Sequence, residues 1–407
     1  MEPGTERALS GVRVVDLSQF EAGPAATQLL GWLGAEVIKV ERPGGGEQGR
    51  RARRRPDGSD GLRWMLLNAN KSSLTLDMKE PRGREVLEAL LRKADVLVEN
   101  FGPGAMERLG FSEERVAELN PALVYARVKG FGAGEFEGFV SVDPIAQATA
   151  GAMSLTGPPD GPPTKVGMNV ADAGTALHAA VGILAALHHR TRTGLGQVVR
   201  VNLQDSVANM CRVAFAQPLE TQVASARTGN SYNQSAPSGL YPCAPGGAND
   251  YCLIYTIITE PEGTRQWHGI LRAMEREDLR DDARFATAAA RRQHSDLVDE
   301  LVSAWTRGRT KREVMRELLA QGVPAGAVND TLEVIRDPDF IARDMVVEVE
   351  HPTQGPLTTV GMPITLTASP APTAPAPELG AQTEAVLAGL LGLAAADIES
   401  LRAAGVV

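Results

Sequence analysis

The 407-residue sequence is short of cysteine, of net positive charge and of long apolar runs, and each shortage excludes a class of function. Its three cysteines, Cys211, Cys243 and Cys252, are odd in number and lack CxxC spacing. Neither a disulfide framework nor a zinc site is expected from them, and a reducing cytoplasm suits the chain best. Lysine and arginine total 41 against 50 aspartate and glutamate, a net charge of −9. That balance disfavours a general nucleic-acid or anionic-membrane binder. No stretch approaches the ~18 apolar residues of a membrane span, and the opening MEPGTERALSG is too polar for a secretory signal. The expectation is a soluble, unprocessed, cytoplasmic protein with no nucleic-acid or membrane partner. The six histidines are scattered, with no HExxH, and no GxSxG elbow occurs, which weakens zinc-hydrolase and serine-hydrolase readings.

What is present is ordinary globular composition, 43% hydrophobic and 22% charged, with length for ~2–3 domains. From Gly11, VRVVDLS reads as a strand, AATQLLGWLGA as a helix and EVIKVER as a second strand, a βαβ unit. The alternation recurs in SLTLDM, the helical EPRGREVLEALLRKA with Pro81 near its start, DVLVEN, FGPGAMERLG and LVYARVKGF. Such alternation predicts the α/β class, with a parallel sheet covered on both faces. A long helix from Asp172 to Gly194 follows, with His188 and His189 on the surface near its basic end, then the strand QVVRVNL. From about residue 215 the composition shifts to Ser, Asn, Gly and Pro, a crossover into a smaller domain. That domain is expected to hold the strand YCLIYTII and helices over TRQWHGILRAMER, HSDLVDELVSAWTRG and TKREVMRELLAQG. VVEVEHPTQGPLTTVGMPITL reads as a returning hairpin, TASPAPTAPAPELG as an extended linker, and the end as a helix pair. The expected division is a large domain beginning over 1–215, a small domain over 225–335 and a return segment over 340–407.

Gly44, Gly46 and Gly49 satisfy GxGxxG after a strand, but the charged RRARRRPDGSDG follows where an apolar helix is needed, so a nicotinamide site is rejected. The arginines of that run, Arg50, Arg51, Arg53, Arg54 and Arg55, form either a solvated loop or a phosphate-attracting patch. Asp172 precedes AGTALHAAVGILAAL, where it either caps the helix or, beside free amide donors, serves as a nucleophilic carboxylate. Local sequence does not choose between them.

Several segments in order, LSGVRVVDLSQFEAGPAATQLLGWLGAEVIKVERP, NKSSLTLDM, ADVLVENFGPGAMERLGF, SVDPIAQATAG, ADAGTALHAAVGILAALHHRTRTGLGQVV and LRAAGVV, resemble the class III CoA-transferases. That family includes formyl-CoA transferase, carnitine CoA-transferase and α-methylacyl-CoA racemase, and the motifs sit nearest to formyl-CoA transferase-like members. The resemblance implies a Rossmann-like parallel-sheet large domain, a smaller α+β domain and a homodimer of interlocked rings, with 215–240 and 335–375 passing around the partner. It also implies that Asp172 attacks an acyl-CoA thioester to give an aspartyl anhydride, then an aspartyl-CoA thioester, before an acceptor acid reverses the sequence. Coenzyme A and acyl-CoA enter as substrates alongside a carboxylic acid acceptor, with no permanently bound cofactor. By the same resemblance Arg42, Lys79 and Arg108 meet the nucleotide, and Leu76, Asp77, Met78, Asn100 and Phe101 line its path. Phe20, Glu21 and Ala22 approach the pantetheine or acyl carbonyl, and Asp143 orients the acceptor or a water.

Three departures refine this. Glu21 stands where formyl-CoA transferases have glutamine, so either two carboxylates share the site and one is harder to ionise, or Glu21 turns to a basic partner. GNSYNQSAPSGLYP lacks the four-glycine run of those enzymes, so formyl-CoA and oxalate are not the expected pair. Val142 replaces the histidine of the racemase branch and cannot move a proton, which leaves racemisation on this scaffold as the lesser alternative, with a silent CoA-binding protein behind it.

Overall fold

The computed structural model describes residues 6–52, 54–55, 57–231, 235–370 and 373–407. Arg53 of the arginine run, 232–234 of the glycine-poor stretch and 371–372 of the expected linker lie outside the described residues. The described chain divides into two compact units, 1–153 with 165–225 and 341–407, and 154–164 with 226–340.

In the first unit β1 (Arg13–Asp16), β2 (Glu36–Glu41), β3 (Lys71–Thr75), β4 (Val96–Glu99), β5 (Val124–Lys129) and β6 (Val198–Asn202) form one six-stranded sheet. All its pairs are parallel, in the order β3-β2-β1-β4-β5-β6, the doubly wound order of Rossmann-like folds. The strands are runs of Val, Ile and Leu because both faces are covered. Alternate residues serve different layers: Val15, Ile38 and Leu97 pack with Leu87 and Leu90, while Val14, Val37, Val96 and Val98 pack with Leu30 and Ile183.

The helices of this unit that matter for the site are α1 (Ala22–Trp32), α2 (Leu62–Asn68), α3 (Pro81–Leu91), α4 (Asp143–Thr149), α5 (Val170–Thr193) and α6 (Leu203–Met210). Pro81 opens α3, where its missing N–H costs nothing, and Gly194 closes α5 in the left-handed conformation with φ +74°. By length and a mean hydropathy of 1.6 over its best window, α5 alone among the described residues is suited to cross a bilayer, a property that counting unbroken apolar runs does not detect. Its buried face carries Ala179, Ile183 and Leu187 in the protein core, the pattern of a central helix of a globular unit. The residues from Arg212 to Thr221, expected to be loose from about 215, form a 3₁₀ turn and a short helix.

The second unit has an antiparallel sheet, β7 (Ser238–Pro242), β8 (Tyr251–Tyr255) and β9 (Ala325–Ala327), with α7 (Glu262–Ala273), α8 (Ser295–Thr306) and α9 (Lys311–Ala320). Trp267, Ile270, Val298, Val302, Val314 and Leu318 make its own core. A reciprocal Thr310–Glu313 capping box starts α9. Residues 154–164, placed by sequence in the large domain, belong here instead. Gly229 N–H donates to the Gly157 carbonyl at 3.1 Å, and the Arg227 guanidinium donates to the Gly161 carbonyl at 2.8 Å.

The returning chain forms the antiparallel hairpin β10 (Val346–His351) and β11 (Gly355–Val360). It then docks on β3, where Ser73 N–H donates to Gln382 Oε1 at 2.8 Å and Gly380 N–H donates to Ser73 Oγ at 2.9 Å. A π-helical turn at Ala385–Leu390 and α10 (Ala395–Ala403) end the chain, burying Leu387 and Leu401 against the sheet.

Candidate active site

In an open parallel sheet the segments leaving the carboxyl ends of the strands converge on one edge, and the strand order reverses between β1 and β4. Two cavities open there, both within the first unit. One, of about 400 Å³, is walled by Gln19–Ala22 after β1, Asn100–Pro103 after β4, the end of β5, Phe139–Asp143, and Asp172 on α5. The other, of about 520 Å³, is walled by Arg42, Gly46–Gln48 and Arg51 after β2, Leu76–Lys79 after β3, and Ala105, Arg108 and Leu109. Gln19, Gln48, Phe101 and Gly102 line both, so the cavities adjoin, each within the usual range for small-molecule sites.

Every sequence-predicted site residue lies on one of these walls. Phe20, Glu21, Ala22, Asn100, Phe101, Asp143 and Asp172 line the first, and Arg42, Leu76, Asp77, Met78, Lys79, Phe101 and Arg108 the second. Leu76 and Ala22 are also core residues, at 1% and 3% exposure, so packing and site-lining coincide in them. Asn100 also positions backbone, because its side-chain amide accepts from Gln19 N–H and donates to the Gln19 carbonyl, both at 2.7 Å, clamping the β1 exit.

Asp172 does not cap its helix. The helix begins two residues earlier, so Asp172 sits in the first turn with Asn169 at the cap position. The capping acceptor comes from elsewhere: Asp143, buried at the start of α4, accepts from Ala171 N–H at 2.7 Å and Asp172 N–H at 3.4 Å, and from Gln147 Nε2 at 2.7 Å. These bonds tie its carboxylate to the start of α5. Asp143 still lines the first cavity. Glu21 accepts from Arg63 on α2 at 2.9 Å and from Asn169 Nδ2 at 2.6 Å. Glu21 thus has the basic partner that one of the two alternatives called for. Burial pushes the Asp172 carboxyl up, Glu21 and Asp143 push the same way, and Arg63 pulls back, with the balance at about 7. Unlike Glu21 and Asp143, the Asp172 carboxyl accepts no hydrogen bond from any described residue.

The two cavities differ in charge. Arg42, Arg51, Lys79 and Arg108 face the second cavity, and among the described residues none of them is in an ion pair. The first has one cation, Lys129, held by Glu99 at 2.7 Å. The arginine run divides accordingly. Arg51 faces the second cavity, whereas Arg50 is fully buried, paired with Glu41 at 2.8 Å and with Asp60, its guanidinium 3.4 Å from the Trp64 ring centre. For Arg50 the solvated-loop reading is wrong. Gly44 and Gly46 precede a charged five-residue helix, Gln48–Ala52, and Gly49 is its second residue, so no apolar helix opens at the third glycine.

Sequence reasoning missed Gln19, Gln48, Lys129, Arg63 and Asn169, and had only the arginine run as a pointer to Arg51. It also missed Glu47, buried at the β2 exit, whose carboxylate accepts from Gly49 N–H at 2.5 Å and from Phe20 N–H at 3.3 Å. That contact holds Phe20 at φ +64°, a left-handed conformation unusual for an aromatic residue, just before α1. A glutamate within a glycine-rich loop was the one local signal for it.

The family model for CoA-transferase family III matches residues 9–383. The formyl-CoA:oxalate CoA-transferases of Streptomyces coelicolor and Streptomyces avermitilis are each 41% identical, over 99% and 98% of this chain and 100% of the relative. Among solved structures, a CaiB/BaiF family protein from Brucella suis superposes with a TM-score of 0.84 at 30% identity, covering 95% of this chain and 100% of that one. A protein from Mycobacterium tuberculosis superposes with a TM-score of 0.78 at 28% identity, covering 94% and 99%. The family match over most of the chain and the relatives aligned end to end show that the chain belongs to CoA-transferase family III, a CoA-transferring enzyme.

Proposed function

We propose that the enzyme moves coenzyme A between two carboxylic acids through covalent intermediates on Asp172, with Asp143 and Glu21 positioning and tuning that residue. The observation that carries this reading is the state of Asp172: buried in the first cavity, without a hydrogen-bond donor among the described residues, and poised to ionise near pH 7. A carboxylate with no donor on its oxygens is a better nucleophile than one held by hydrogen bonds.

The exchange balances without added reagents. One Asp172 oxygen attacks the thioester carbonyl, the carbon–sulfur bond breaks, and CoA thiolate leaves behind a mixed anhydride. The thiolate then attacks the aspartyl carbonyl, the anhydride carbon–oxygen bond breaks, and the donor acid departs as its carboxylate. An acceptor carboxylate attacks the aspartyl-CoA thioester and the same two steps run backward. No net proton or electron is exchanged. The four unpaired cations of the second cavity suit the CoA phosphates, and Gln19, Gln48 and Phe101, which line both cavities, lie where the pantetheine arm would pass. We assign the enzyme to the cytoplasm as a homodimer of interlocked rings, the assembly its resemblance implies.

Mass spectrometry after exposure to a panel of acyl-CoA thioesters, beginning with formyl-CoA because the relatives are named for it, tests this reading. The expected result is a CoA-sized adduct on the Asp172 peptide that acceptor acid removes. Full exchange activity in Asp172→Ala would overturn it.

A further inference from the structure

The first cavity carries features that the exchange chemistry does not require. Phe139, Val140, Val142 and Phe20 line it, yet within the single chain they are 63%, 78%, 54% and 53% exposed, so apolar surface is left uncovered on the walls that also carry Asp172. Of three neighbouring rings only Phe139 lines the cavity, and Phe136, 6.3 Å from it and 5.8 Å from Phe131 between centroids, backs it. The cavity's charge is one-sided. Four carboxyl side chains, Glu21, Glu137, Asp143 and Asp172, line the cavity, and its one cation, Lys129, is already held by Glu99. A substrate carrying a second negative charge would find no unpaired cation among the described lining residues, whereas a hydrocarbon body would cover apolar surface.

We propose that this cavity selects monocarboxylic acyl groups with an apolar hydrocarbon body, and that a short dicarboxylate such as oxalate is a poor acceptor. The inference rests on the Asp172 exchange reading. It departs from the substrates for which the Streptomyces relatives are named.

The test is isotope-labelled CoA exchange with one acyl-CoA donor and a series of acceptors: formate, acetate, butyrate, hexanoate, phenylacetate and oxalate. Burying each added methylene is expected to raise kcat/KM about fourfold until the cavity is filled, leaving the best monocarboxylate more than tenfold above oxalate. Val140→Asp is expected to lower the hexanoate-to-formate ratio at least tenfold, with circular dichroism confirming the fold of this surface variant. Values flat along the series, oxalate equal to or above the best monocarboxylate, or an unaltered ratio in Val140→Asp would each overturn the proposal and leave the Asp172 reading standing. Exchange that persists in Asp172→Asn, or no exchange with any acid, would instead remove the reading beneath it and the proposal too.

Discussion

Two opposing requirements meet at Asp172. For the proposed exchange its carboxyl must be dry enough that its oxygens are unsolvated, yet it must ionise at working pH, and a group balanced near pH 7 satisfies both. Burial and two neighbouring carboxylates raise it, Arg63 restrains it, and the first turn of α5 favours the negative form. In the proposed exchange the ionised form is the nucleophile, so activity should rise as pH climbs through that value. Glu21→Gln removes one like charge and leaves Arg63 without its partner, so both changes favour the Asp172 anion. The acid limb of the kcat/KM profile is expected to move down by roughly one pH unit. A limb that stays in place, or moves up, would mean that Glu21 acts on Asp172 by geometry alone. Local sequence made Asp172 legible as a carboxylate at a helix start, and the family resemblance made Glu21 legible as a second acid near it. Arg63 and Asn169 carry no such signal, because only the fold brings them 42 and 148 positions along the chain to meet Glu21.

Beneath the site, β1, β2 and β3 are joined by ions as well as by apolar packing, through Asp16 at the end of β1, Lys39 within β2 and Lys71 at the start of β3. Asp16 is fully buried, accepts from Lys71 Nζ at 3.0 Å and Thr27 Oγ1 at 2.7 Å, and stands 3.8 Å from Lys39 Nζ, which donates to the Ser18 carbonyl at 2.8 Å. Burial alone would raise the Asp16 carboxyl, but the two lysines and two hydroxyls hold it well below the usual range. The network fixes the β1 exit from which Gln19, Phe20 and Glu21 reach the cavity. Gly23 completes it, since a Cβ there would lie 2.3 Å from Ser18 Cβ and force α1 off that loop. Asp16→Asn leaves two buried ammonium groups without a counter-charge and is expected to cost about 3–5 kcal/mol, read as a lower urea midpoint. A loss below about 1 kcal/mol would mean that the lysines find other partners on relaxation. The strands themselves were legible, because Val- and Ile-rich runs bounded by charge and glycine have one good solution. The start of α5 was not, because its capping acceptor, Asp143, lies 28 residues before Ala171 and local sequence cannot show that two helices share a cap. The same limit explains why β7 and the three-residue β9, short and flanked by glycine and proline, escaped notice.

At the scale of the whole chain, the path matters more than the composition. The polypeptide leaves the first unit after Met153, re-enters it at Lys165, leaves again after Ser225 and returns at Ile341. In the proposed interlocked homodimer a second copy is threaded between such an exit and return, trapped by connectivity as well as by contact. The first unit also leaves apolar side chains largely exposed along α5 and beyond it, among them Leu177, Val181, Val213 and Leu219, a pattern more common on interaction surfaces than on isolated monomers. The proposed interlocked homodimer accounts for both features and has a kinetic consequence that an ordinary dimer lacks. Sedimentation should give twice the 43.2 kDa of one chain. When tagged and untagged dimers are mixed under native conditions, no mixed dimer should form over days, because exchange requires a subunit to unfold, whereas refolding the two together from urea should give all three species. Mixed dimers appearing within hours at a temperature well below the unfolding midpoint would show two separable rings, and a monomer at micromolar concentration would remove the assembly altogether.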